Sequence, residues 1–180
     1  MSGWRSRLQV ITDIEVSDAG VKGKGVFALR HFDAGEFIFR RRRGRIIANS
    51  EIATLSAEDQ QHLDEIDENT SEILTSPGCY FNHACEPNAM PHGMDLYAWK
   101  DIEAGEEITV DYRLSAISNN RWDCACGGAS CPGYLDHSFF ALSEETQRQY
   151  LPYAPAYVRA EYRARQRTES VQRPGHDSVR

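Results

Sequence analysis

The chain has no run approaching the ~18 consecutive apolar residues that a membrane-spanning helix needs. Its opening stretch, MSGWRSRLQVITD, lacks the apolar core of a secretory leader, so none is expected. Cysteine is sparse: five residues, an odd number, which does not make a secreted disulfide framework. Between Ile46 and Trp99 there is no lysine or arginine. No Gly-x-Gly-x-x-Gly follows a strand and no β-α-β rhythm appears, which excludes a doubly wound nucleotide-binding sheet. These absences predict a soluble intracellular protein, of the cytoplasm or of the nucleus or nucleoid.

The 180 residues, 41% of them hydrophobic, suffice for one domain with a real core and a short appendage. The net charge of −7 argues against general nucleic-acid affinity, except where nucleic acid is part of a nucleoprotein target. Ten acidic residues fall in the lysine- and arginine-free stretch (Glu51, Glu58, Asp59, Asp64, Glu65, Asp67, Glu68, Glu72, Glu86 and Asp95), and they predict an acidic central surface that attracts a cationic partner. Any single one of them also fits an ordinary solvated face. Just before them lies a basic knot, Arg40 to Arg43 and Arg45, which fits either a contact with DNA or a sheet edge guarded against strand addition.

LQVITDIEV (8–16) alternates β-branched residues and reads as a strand. HFDAGEFIF places a turn at Asp33-Ala34-Gly35 between apolar segments, and DIEAGEEITV repeats that grammar at Ala104-Gly105. MDLYAWKDI and EEITVDY are strand-like. A helix is predicted from Ser56 through AEDQQHLDEI, with Leu55, Leu63 and Ile66 on one thin apolar face. A second helix is predicted from near Ser143. From about Thr168 the composition is that of an unstructured tail. The fold class is mainly β with few helices, of the α+β kind.

Cys124, Cys126 and Cys131, spaced Cys-x-Cys-x4-Cys, are the strongest metal signal. A structural zinc takes four ligands, so one position is left to fill. Cys85, with polar neighbours and a following Glu-Pro turn, is favoured over Cys79, whose aromatic neighbours suggest a small buried apolar group. One structural Zn2+ on Cys85, Cys124, Cys126 and Cys131 would tie the later segment to the CYFNHACEPNA loop (79–89). Taken alone, Asn82 and His83 could be a turn and a surface histidine, and Tyr112 an ordinary strand aromatic.

Taken together and in order, four pieces carry a resemblance. GKGVFALRHFDAGEFIF, FNHACEPNA, LYAWKDIEAGEEITVDY and CACGGASC make the chain similar to the SET-domain family of protein lysine methyltransferases, over about residues 10–135. The resemblance implies small curved β-sheets, with the NHAC and VDY segments crossing in a pseudoknot-like way. That topology comes from the family, because true knots are rare. The implied organisation is a tail (1–8), a SET domain (9–114), a post-SET zinc segment (115–136), a helical extension (137–167) and an unstructured end (168–180). The family's cysteine-rich pre-SET segment is absent, and so small a SET core would suit a bacterial protein, including one secreted to act on a host.

The implied activity is methyl transfer from S-adenosylmethionine to a lysine amine in a basic protein segment, such as a histone or ribosomal protein. The implied cofactor residues are Lys24, Gly25, Val26, Phe27, Asn82, His83, Tyr112 and Trp122. Lys24 and Gly25 would lie against the methionine part, where a side chain at Gly25 would intrude. Asn82 would bond the amino-acid end, and His83 would meet the adenine largely through its backbone. Trp122 would cover the adenine or simply pack the post-SET segment. Tyr112 is the implied catalytic residue. Three departures stand out: Cys79-Tyr80-Phe81 before the Asn-His pair, Ala84 for the usual serine, and Val110 at a site that influences how many methyl groups fit. Alternative readings are a catalytically silent SET-like zinc module that binds a partner, and methylation of a non-histone or small-molecule amine.

The chemistry asks little of a general base. Neutralising a free lysine of pKa ~10.4 at pH 7 costs roughly 4.6 kcal/mol. A sulfonium ~4 Å away opposes the ammonium by about 4 kcal/mol at an effective dielectric of 20. The implied task of Tyr112 is therefore to align the groups, and His83 is assigned no proton transfer.

Overall fold

The computed structural model describes residues 13–67, 69–118 and 120–172. The part of the first expected strand before residue 13, the tail 1–8 and residues 173–180 lie outside the described residues. Strands run β1 (Ile14–Asp18), β2 (Lys24–Ala28), β3 (Phe37–Arg40), β4 (Arg45–Ala48), β5 (Leu63–Glu65), β6 (Thr70–Ile73), β7 (Asn82–His83), β8 (Ala89–His92), β9 (Asp95–Ala98), β10 (Thr109–Val110), β11 (Arg121–Asp123) and β12 (Tyr134–Asp136). Helices are α1 (Ala57–Gln61), α2 (Glu144–Tyr150) and α3 (Ala156–Gln172). The mainly β class with few helices holds. No helix among the described residues is long and apolar enough to cross a membrane.

The chain divides into two compact units. Among the described residues, the first comprises 13–43, 75–111 and 125–130. It contains the antiparallel pair β1–β2, the sheet β3–β9–β8 and the parallel pair β10–β7. Val26, Phe32, Ile102 and Ile108 are completely buried at its centre, packed with Ile14, Phe39, Phe81 and Leu96. The two turns of similar grammar meet here. Phe32 and Ile102 exchange backbone hydrogen bonds of 2.9 and 3.0 Å, and the turn glycines Gly35 and Gly105 have φ of 86° and 85°. That left-handed conformation is open to glycine at no steric cost. The repeated punctuation thus marks two loops that pair with each other.

Among the described residues, the second unit lies within 44–74, 112–124 and 131–172, with sheet β4–β6–β5, hairpin β11–β12 and the three helices. The helix predicted from Ser56 forms only as α1. Ser56 caps it by accepting the Asp59 N–H at 3.0 Å. Leu63–Glu65 leave the helix to pair with Ile73–Ser71 as β5. The thin apolar stripe cannot hold a long helix, whereas sheet pairing satisfies the same backbone groups and buries Ile73. The helix predicted from Ser143 is present as α2, with Ser143 accepting the Thr146 N–H at 3.1 Å. α3 continues to Gln172, so residues 168–172, expected to be unstructured, are helical.

The acidic middle needs correcting too. Glu72 is only 2% exposed and accepts the Gly44 N–H, so it belongs to the interior. Asp95 pairs with Arg40 at 3.3 Å. Glu51, Glu58, Asp67 and Glu86 remain exposed. Arg40 and Arg45 stand on β3 and β4, each an edge strand of its own sheet, where positive charge guards against strand addition.

Candidate active site and cysteine centre

The polar cluster of the first unit is built where β2, β7 and the Gly105 turn converge. Asn82 opens β7, paired with Thr109 of β10. Its Nδ2 donates to the Lys24 carbonyl at 2.9 Å and to Glu107 Oε1 at 2.7 Å. The other Glu107 oxygen, Oε2, takes a hydrogen bond from Lys22 Nζ. Lys24 extends its ammonium over the Tyr80 ring, 5.1 Å from the centroid. A Cβ on Gly25 would lie 2.7 Å from Glu107 Oε1, 2.9 Å from Ala19 Cβ and 3.2 Å from Asn82 Nδ2. Gly25 is therefore required by the protein's own packing. Val26 is fully buried in the core and its carbonyl accepts the Ile108 N–H, so only its backbone can meet a ligand. Phe27 is half-buried and bridges Glu107.

His83 is buried. Its Nδ1 faces Asp111 Oδ1 at 3.6 Å and its Nε2 lies 3.5 Å from Cys85 Sγ. β10 is held in place by the buried Asn88. This side chain accepts the Thr109 N–H at 2.8 Å and donates to the Glu107 carbonyl at 2.8 Å and to Glu106 Oε1 at 2.9 Å. Tyr112 follows Asp111 directly, is half-buried and opens a short 3-10 turn, Tyr112–Ser115.

Lys22, Asn88, Glu106, Glu107 and Asp111 are the polar partners that sequence reasoning missed. Their signal was faint: two adjacent glutamates after a glycine turn read equally well as solvated charge.

In the second unit, Trp122 is 43% exposed on β11 and stacks on His137, with ring centroids 4.3 Å apart. Beside it Arg121 grips Asp136 with two bonds, of 2.6 and 3.0 Å, and covers the Tyr134 ring. The pairing holds the Asp136 carboxyl below its usual range.

The thiols of Cys85, Cys124, Cys126 and Cys131 lie within 4.8 Å of one another, whereas Cys79 is not in the group. Four thiolates at ~2.3 Å from one tetrahedral zinc are spaced about 3.8 Å apart, so the donor set fits such an ion. Gly127 and Gly133, with φ of 72° and 83°, bend the loop that carries three of them.

The match to known proteins follows these motifs. The SET domain family model matches residues 23–113. A histone-lysine N-methyltransferase, H3 lysine-4 specific, of Candida albicans is 31% identical over 130 residues, covering 62% of this chain and 12% of that protein. A histone-lysine N-methyltransferase, H3 lysine-36 specific, of Eremothecium gossypii is 29% identical over 140 residues, 68% of this chain and 20% of that one. This chain thus spans only a small part of either relative. The methyltransferase domain of human histone-lysine N-methyltransferase SETMAR superposes with a TM-score of 0.53 at 24% identity, covering 69% of this chain and 58% of that domain. The family match takes in both β7 with its Asn-His pair and the whole Gly105-to-Tyr112 segment, and the chain belongs to the SET-domain family.

Proposed function

We propose that this protein transfers a methyl group from S-adenosylmethionine to the side-chain amine of a lysine in a basic protein segment, such as a histone or a ribosomal protein. One observation carries the reading. Within the family-matched stretch, the Asn82 amide is held at 2.9 Å against the Lys24 carbonyl, across 58 residues of sequence. Both Asn82 donor hydrogens are committed to protein acceptors, so its half-buried Oδ1 is left to accept from a cationic group. The α-ammonium of S-adenosylmethionine is such a group, and the residues present fit it. When bound, the cofactor supplies a methyl group on a positively charged sulfur.

Asn82 and the backbone at Lys24 and Gly25 bind the amino-acid end. The His83 backbone takes the adenine. Tyr112 uses its hydroxyl to align donor and acceptor, where positioning alone offsets much of a barrier. Cys85, Cys124, Cys126 and Cys131 hold one structural zinc, which fixes the loop around them. The exposed Glu51, Glu58, Asp67 and Glu86 favour a basic target.

The test has two arms. Calorimetry with S-adenosylmethionine should show one binding site. Labelled-methyl transfer into a fractionated proteome, read by mass spectrometry, should mark lysines in basic proteins. Absence of cofactor binding would leave the chain a silent SET-like module. Label found only on small amines would remove the protein substrate.

A further inference from the structure

We propose that Glu107 is a positioning residue that decides which end of the Asn82 amide faces the cofactor. This rests on the methyltransferase reading above and adds to it a residue, a partner and a polarity.

An asparagine amide offers an acceptor oxygen on one side and a two-hydrogen donor on the other, and the two ends differ little in shape. Which end points outward is set by the neighbours. Here Glu107 Oε1 and the Lys24 carbonyl, both pure acceptors, flank Nδ2 at 2.7 and 2.9 Å. A flipped amide would set Oδ1 against two oxygens and lose both bonds. The nitrogen therefore faces the protein, and among the described residues Oδ1 accepts no hydrogen bond.

A bare carboxylate could hold a cation directly, but Glu107 is already engaged. Lys22 Nζ bonds its second oxygen, and the two side chains are only 22% and 17% exposed. The pair neutralises itself and spends its geometry on Asn82. Gly25 shows how close this arrangement runs to the backbone, since a Cβ there would collide with Glu107 at 2.7 Å and crowd Asn82 at 3.2 Å. The result is a preformed acceptor for an ammonium group, with the reorganisation already made before binding.

The experiment compares two probes on the full chain. S-adenosylhomocysteine carries the α-amino-acid end, whereas methylthioadenosine has the same adenosine and thioether without it. Glu107→Ala frees the Asn82 amide to turn. The affinity for S-adenosylhomocysteine should fall about tenfold or more while that for methylthioadenosine stays within twofold. An equal loss on both probes would make Glu107 a structural residue only, and no loss on either would also overturn the proposal. Glu107→Met, which fills similar space without an oxygen acceptor, is read in the same way should the alanine variant fail to fold: the ratio of the two affinities must shift more than threefold toward methylthioadenosine. A wild-type chain that binds neither probe ends the methyltransferase reading itself, and this inference with it; a wild type that binds both, with an unmoved ratio in the variants, ends only the inference.

Discussion

The side chain of Asn88 and the backbone of Thr109 are joined at 2.8 Å in an interior where Asn88 is only 3% exposed. The same amide holds the Glu107 carbonyl at 2.8 Å, so one asparagine stitches the whole approach to β10. Asn88→Ala removes these bonds and leaves a buried N–H and a C=O without their partner. Each such group costs about 1–3 kcal/mol, so a loss of roughly 2–6 kcal/mol is expected in urea unfolding. A change below ~1 kcal/mol would show that the stitching is redundant.

Tyr112→Phe keeps the ring and removes the hydroxyl proposed to align donor and acceptor. Turnover should fall ~10²-fold or more, with cofactor affinity nearly unchanged by calorimetry. Full turnover in this variant removes Tyr112 from the mechanism.

Cys126→Ser tests the cysteine centre. Metal analysis should find one zinc per wild-type chain and none in the variant, and methyl transfer should be lost with it. Stoichiometric zinc in the variant rules the ligand set out.

His31 gives the pH dependence. Its ring is held by Asp33 at 3.2 Å and by Glu103 at 3.3 Å. Hydrogen bonding to Asp33 first, then to Glu103, raises its pKa above 6.5. A raised basic group contributes stability that is complete below the unfolded value and is lost as pH rises through the folded one. The melting temperature should therefore decline as pH rises from about 6 toward 8, a slope that His31→Gln flattens. An equal slope in the variant would assign the dependence to another group.

Tyr157, on α3, points its hydroxyl at two backbone carbonyls, Glu65 at 3.0 Å and Ser115. Burial, with the nearby charges of Asp64, Glu65 and Asp67, pushes its pKa well up, so it stays a donor at every working pH. Tyr157→Phe should cost about 1–3 kcal/mol in urea unfolding. An unchanged midpoint would make the bond incidental.

What was legible in the sequence was whatever depends on local chemistry. The caps Ser56 and Ser143 act where their side chains predict, and the cysteine spacing led to thiols that do come together. The glycines of the two turns were read correctly as punctuation, but not as mates, because nothing in either turn names the other. The sheet β4–β6–β5 was missed because Leu63–Glu65 owes its extended form to Ser71–Ile73, its partner across the short 66–69 connection, and that pairing overrides helix propensity. Glu107 was missed for a related reason. A carboxylate that braces an asparagine 25 residues away has the same letters around it as one that only meets water. The first compact unit, assembled from three separated stretches, has no boundary that composition could mark.

The two-residue alignment of Asn82–His83 with Thr109–Val110 is parallel, so its halves cannot close as a hairpin. Everything from Ala84 to Ile108 must loop out and return first. Such non-local closure is slow and wins few bonds in compensation. On the ribosome this seam would zip only after the later strand has emerged, and in a partial opening it would be among the first to part. Amide exchange at Ala84, whose N–H bonds the Val110 carbonyl at 3.0 Å, should accordingly outpace that of the β1–β2 ladder.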